Sequence, residues 1–139
     1  MSEGMYCLFS GGKDSFATAC HLQETERLLG CVMLDTGIAV PEWKEQCLAM
    51  CKRQGFSVEL IPTPIRYEWL VYRYGFPGPG MHGLFMNYLK GRCIREFKRR
   101  HPGAMLASGV REQESSRRKF HVQPVSTFEG VTIHAPIFD

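Results

Sequence analysis

No apolar run in this sequence approaches the roughly 20 residues that a membrane-spanning helix needs, and its N-terminus has no basic segment followed by a long apolar stretch. A membrane span and a secretory signal are therefore not expected, and a cytoplasmic location is. Low-complexity tracts and internal repeats are missing too, which sets aside linkers and solenoids. What remains is a 139-residue chain, 44% hydrophobic and 22% charged, long enough for one domain with a real core. Its six cysteines lie scattered through apolar periodic segments and not in loops, so they read as reduced thiols. None follows Cys93. His82, His101, His121 and His134 share no metal-ligand spacing and are given no chemistry.

Acidic residues are scarce in one stretch. Residues 90–119 hold ten Lys and Arg against Glu96, Glu112 and Glu114, although the whole chain carries only +3. A local basic region suits an anionic partner, either the phosphates of a small molecule or a nucleic acid; a solvated helix face is the alternative.

The pattern along the chain alternates strand and helix. Met5–Phe9, Cys31–Leu34, Ser57–Ile61, Ala104–Ala107 and Val131–His134 read as strands. A helix begins near Phe16 and is expected to stop at Gly30. Another starts at Pro41, with Trp43, Cys47, Met50 and Cys51 on one face, and ends at Gly55. The aromatic stretch from Tyr67 to Gly80 reads as an irregular loop. A helix follows, with Met86, Leu89, Cys93 and Phe97 on one face and Arg92, Arg95 and Arg99 on another. Arg111–Lys119 reads as a polar helix or ordered loop. The expected architecture is a single α/β, Rossmann-like three-layer domain over residues 1–139, with a parallel sheet of about five strands flanked by helices. Its ligand would lie beyond the carboxyl ends of the strands. Ser10–Ser15, Asp35–Gly37 and Ser108–Arg117 all converge on that edge.

Ser10-Gly11-Gly12-Lys13-Asp14-Ser15 carries the chemistry. The glycine pair admits backbone conformations closed to other residues, and the exposed amides of a helix start favour an anion. Lys13 adds a full charge, and the hydroxyls of Ser10 and Ser15 can donate. The string lacks the four-residue spacing of a Walker A loop. A capped glycine turn before a helix is the plain alternative.

The string resembles the PP-loop of the adenine-nucleotide α-hydrolase superfamily, of the N-type ATP pyrophosphatase kind. Three further segments resemble the PAPS reductase-like family in the same order: Leu34-Asp35-Thr36-Gly37, Gly109-Val110-Arg111-Glu112-Gln113-Glu114-Ser115-Ser116-Arg117, and Ala135-Pro136-Ile137-Phe138-Asp139. The resemblance implies that Ser10, Gly11, Gly12, Lys13, Asp14 and Ser15 bind pyrophosphate, with Asp35 and Gly109 completing the nucleotide site. It implies catalytic roles for Lys13, Arg111 and Arg117, with Glu114 and Ser115 fixing the arginines or capping a helix. Asp35 reads equally well as a strand-end turn residue.

Lys13 separates this chain from the sulfonucleotide reductases, which usually lack it, and points to ATP or a related adenine nucleotide with Mg²⁺. The reductases' C-terminal cysteine has no counterpart after Cys93, and Phe85 stands where some relatives place an iron–sulfur cysteine. No iron–sulfur cluster or protein-held metal site is expected, and Cys47, Cys51 and Cys93 read as core thiols. The family continues past this point with a tryptophan and a helix, so residues 1–139 are either a minimal version or part of a longer protein. The expected activity is cleavage at the α-phosphate to adenylate a substrate in sulfur metabolism or nucleic-acid modification. The alternatives are a PAPS reductase and a non-catalytic nucleotide-binding module. The partners expected are an adenine nucleotide, an acceptor that is a small sulfur compound or a nucleic acid, and, as one option, a second copy in a homodimer; no membrane is among them.

Overall fold

The structure is a computed structural model that describes residues 4–37, 41–78, 81–109 and 125–136. Six strands and four helices alternate along the described residues: β1 (Met5–Leu8), α1 (Lys13–Glu24), β2 (Leu28–Asp35), α2 (Pro41–Gln54), β3 (Val58–Pro62), α3 (Tyr67–Tyr74), α4 (His82–Arg100), β4 (Leu106–Ala107), β5 (Val125–Phe128) and β6 (Val131–His134). They form one sheet in the order β3-β2-β1-β4-β6-β5. All neighbours are parallel except β5 and β6, which pair antiparallel.

Alternation along the strands sends side chains to two cores. Met5, Cys7, Cys31 and Met33 pack against Ala19 and Leu22 of α1 and Cys47 and Cys51 of α2. Val32, Ile61, Leu106 and Val131 face the other way, onto Cys93, Ile94 and Phe97 of α4. The result is the three-layer α/β domain that the alternating pattern implies.

The chain runs outward from β1 to β2 and β3, then returns to place β4 on the other side of β1. This reversal opens a crevice at the carboxyl ends of β1 and β4, where such sheets take their ligands. Ser10–Gly12 and Ser108–Gly109 both emerge there.

Two sequence expectations are corrected. The first helix ends at Glu24 and not at Gly30, because Glu26 itself adopts the left-handed conformation (φ 58°) that usually calls for glycine. Gly30 lies inside β2, where a β-carbon would come within 2.7 Å of the Ser57 hydroxyl oxygen. The aromatic stretch after Pro64 is not all loop: α3 forms despite the modest helix propensity of Tyr, Trp and Val. Tertiary contact supplies the difference, since Leu70 packs with Phe85 and Leu89 in a small core of its own. The sheet also has a sixth, antiparallel strand. Its hairpin turns on Glu129-Gly130, both at positive φ, without the Asn-Gly or Asp-Gly pair that announces such turns.

Candidate functional site

The crevice is a cleft of about 450 Å³ lined by the loop after β1, the first turn of α1, the ends of β1 and β2, and single residues of α2 and α4. Ser10, Gly12, Lys13, Asp14, Ser15, Ser108 and Gly109 all line it. Thus the structure brings most of the expected phosphate-binding residues together with the β4 end.

Internal hydrogen bonds hold the loop. The Ser15 hydroxyl donates to the Gly12 carbonyl (3.1 Å) and accepts from the Ser10 amide (3.3 Å) and the Ser10 hydroxyl (3.4 Å). One turn on, the Thr18 hydroxyl donates to the Asp14 carbonyl at 2.8 Å. Gly12 is the cap residue of α1 and, as a glycine, has no side chain of its own to cap that end. The first-turn amides and the positive end of the helix dipole thus open toward the cleft.

Two glycines are there for steric reasons. Gly11 has φ 85°, and a β-carbon on it would lie 2.7 Å from Cys47 Sγ. Gly109 seats the β4 end directly on α1, because a β-carbon there would meet the Asp14 and Ser15 backbone at 2.8–2.9 Å. Only a residue without a side chain permits this approach.

Two cleft residues carried a different sequence reading. Trp43 was expected on the apolar face of α2. It does pack against that core, but its indole N–H also donates to the Ser10 carbonyl at 2.9 Å and its ring borders the cleft. Lys90 reaches the cleft from α4, on the opposite side of the sheet from Lys13's helix. Neither Lys13 nor Lys90 forms an ion pair among the described residues. The signal that could have found Trp43 is a tryptophan one turn inside a helix that follows the second strand. For Lys90 there was none beyond the basic stretch.

Asp35 stands at the end of β2. Its carboxylate accepts the Gly37 amide at 3.0 Å and pairs with Lys44 at 3.3 Å, and it is not among the residues bordering the cleft. Arg111, Glu114, Ser115 and Arg117, like the Arg111–Lys119 segment as a whole, lie outside the described residues. Of the C-terminal motif only Ala135 and Pro136 are described.

All six cysteines are free, and all but Cys20 are buried. Burial, with the neighbouring Cys31, pushes the Cys51 thiol up to about 12. Burial and the Asp35 charge push Cys93 up to about 11. Cys31 is raised by its hydrogen bond with Cys7 and by burial, and Cys47 by burial and Cys51. These four are protonated core thiols at neutral pH, a poor state for nucleophilic chemistry. Among the described residues no three His, Cys, Asp or Glu side chains are grouped to hold a metal, and no helix is long and apolar enough to cross a membrane.

Much of the basic character of α4 is neutralised locally. Arg95 pairs with Glu129 (2.7 Å), Arg99 with Glu96 (2.6 Å), and Arg100 with both Glu96 and Glu59 (2.9 Å each).

No family model matches the sequence, and no curated protein matches it. Solved structures do resemble the fold. A predicted subunit of tRNA methyltransferase from Methanocaldococcus jannaschii superposes with a TM-score of 0.55 at 17% identity, over 99% of this chain and 69% of the other. The phosphoadenylyl-sulfate (PAPS) reductase from Candida auris gives 0.67 at 10% identity, over 100% and 68%. Glutamine-dependent NAD+ synthetase from Acinetobacter baumannii, in complex with ADP, gives 0.63 at 17%, over 83% of this chain and 23% of that one. These likenesses, at 10–17% identity, show a shared three-layer α/β fold.

Proposed function

We propose that this chain is an enzyme that binds ATP through Ser10–Ser15 and cleaves it at the α-phosphate, leaving an adenylated substrate in sulfur metabolism or nucleic-acid modification. The observation that carries the reading is the glycine-capped start of α1, which borders with Lys13 a cleft at the sheet's switch point. The fold's occurrence in an NAD+ synthetase solved with ADP supports an adenine nucleotide as the ligand. Free buried thiols fit a cytoplasmic setting.

In this reading the Ser10–Ser15 loop cradles the β,γ-pyrophosphate. An acceptor nucleophile forms a bond to the α-phosphorus while the bond from that phosphorus to the bridging oxygen breaks, and pyrophosphate leaves with the electron pair. Lys13 and the first-turn amides stabilise the charge that grows on the leaving group. Arg111 and Arg117 are assigned to the α-phosphate, where guanidinium forks match phosphoryl oxygens. Mg²⁺, commonly held by one or two carboxylates and the substrate phosphates, would screen the pyrophosphate. Asp14 is the carboxylate bordering the cleft that suits it. Gly109 keeps the β4 end close enough to share the nucleotide with the loop.

The test is ATP binding by calorimetry with Mg²⁺, followed by pyrophosphate release in the presence of trial acceptors. Lys13→Ala should weaken ATP binding by about tenfold or more, in line with loss of a charge-assisted phosphate contact. Unchanged affinity would overturn the loop assignment. Tight binding with no release under any acceptor would leave a nucleotide-binding module in place of an enzyme.

A further inference from the structure

The hairpin of α3 and the first half of α4 carries an exposed aromatic surface that the nucleotide cleft does not use. Tyr72 is 91% exposed, Phe76 85%, Tyr74 63% and Trp69 47%. Trp69 and Tyr74 are joined through the side chain between them. The Arg73 guanidinium lies over Trp69 (6.0 Å) and Tyr74 (5.8 Å), and Tyr74 meets Phe85 of α4 edge-on at 6.4 Å. Lys90, which borders the cleft, follows Phe85 by five residues, about 7.5 Å along the helix axis. α4 thus contributes a residue to each, Phe85 to the hairpin's packing and Lys90 to the cleft.

We infer that this hairpin is a stacking platform for a single-stranded nucleic acid, held beside the cleft by Arg73 and Lys90. Two independent features point that way. Solvent-facing aromatic rings with an interleaved arginine offer π-faces to unstacked bases, which is how non-specific single-strand sites are built. Charge supplies the second. Residues 65–92 hold Arg66, Arg73, Lys90 and Arg92 against Glu68 alone, and none of these four cations is in an ion pair among the described residues. The farther arginines of α4, by contrast, are satisfied by Glu59, Glu96 and Glu129. A second copy of this chain would complement the surface less well, because a two-fold contact sets like charges against each other. The role of the strand as acceptor rests on the ATP reading above; the platform itself rests on the hairpin's own residues.

Fluorescence anisotropy with labelled 12-mer oligo-U and oligo-dT tests the inference, at about 50 and 200 mM salt. Binding of either oligonucleotide that weakens steeply with salt is expected, and comparing the two tells RNA from DNA. Tyr72→Ala and Phe76→Ala should each weaken binding by about tenfold. Tyr72→Phe should restore it. Both residues are largely exposed, so the variants should fold, and their ATP affinity should match the parent's. Lys13→Ala should lose ATP while keeping the oligonucleotide, which separates failure of the platform from failure of the cleft. Absence of oligonucleotide binding at low salt overturns the inference, as does binding indifferent to Tyr72 and Phe76. So does a dimer in sedimentation that these variants dissolve without changing oligonucleotide affinity, since the surface would then belong to a second copy.

Discussion

Cys47 Sγ sits so close beneath Gly11 that a β-carbon there would come within 2.7 Å of it. The loop between β1 and α1 is thus shaped from below by a buried thiol on α2 as well as by its own backbone. Gly11→Ala should destabilise the fold by about 1–3 kcal/mol through a strained left-handed residue and the clash. In a Cys47→Ala background the clash is gone, so the same substitution should cost only the backbone part, about 1–2 kcal/mol. Urea denaturation of the four variants measures the coupling. An unchanged cost in the two backgrounds would mean that the thiol does not constrain the loop.

Gly109→Ala is expected to cost both stability and binding. The obstructing atoms are the Asp14 and Ser15 backbone, which cannot swing aside as a side chain can. The β4 end or the first turn of α1 must move by tenths of an ångström, at a cost of about 1–3 kcal/mol. Calorimetry should show ATP affinity falling several-fold and the thermal midpoint falling by about 3–12 °C.

The chain has two tryptophans, one bordering the cleft and one on the exposed hairpin. Trp69→Phe leaves Trp43 as the sole indole reporter of the cleft. Its emission should change on addition of ATP, and Lys13→Ala should abolish the response at the same nucleotide concentration. Trp43→Phe, which removes the 2.9 Å hydrogen bond to the Ser10 carbonyl, should cost about 1 kcal/mol in urea unfolding.

At the opposite end of the sheet, Glu59 joins β3 to the end of α4. Burial opposes its ionisation, but hydrogen bonds from His101 (2.7 Å) and Arg100 (2.9 Å), with their charge, outweigh this and hold the carboxyl below its usual 4.5. A carboxyl depressed on folding adds stability above its unfolded value, and that contribution is lost as pH falls through the folded value. The gap between the parent and Glu59→Gln should therefore be full above about pH 4.5 and shrink below it. With Glu59 about one-third exposed the gap should be about 1 kcal/mol or less. Unfolding series at pH 6 and pH 3 test the sign; a gap that widens in acid would refute it.

The strands that flank the cleft were legible because each is a short apolar run closed by a turn residue, and Ser10–Ser15 stood out as a six-residue string. Gly109 could be placed only through resemblance. Its physical reason, the contact with the α1 backbone, spans more than ninety residues of chain and leaves no local trace. Trp43 was hidden for the opposite reason. Its spacing with Cys47 and Cys51 fits a core face, and half of its environment is indeed core. A period of 3.6 places a side chain on a face but does not say where along the helix that face leaves the sheet. α3 was missed because aromatic residues near prolines favour a loop reading, and only Leu70 meeting Phe85 and Leu89 overrides it.

α4 is one uninterrupted rod of 19 residues, about 28 Å long. From its middle it delivers Lys90 to the cleft, and at its C-terminal end Arg100 and His101 are anchored to Glu59. A displacement of the aromatic hairpin is therefore transmitted along a stiff lever with a fixed foot. A strand captured above would be felt at Lys90 as a change of tilt, while the loop on α1, borne by a different helix on the other face of the sheet, would stay where it is.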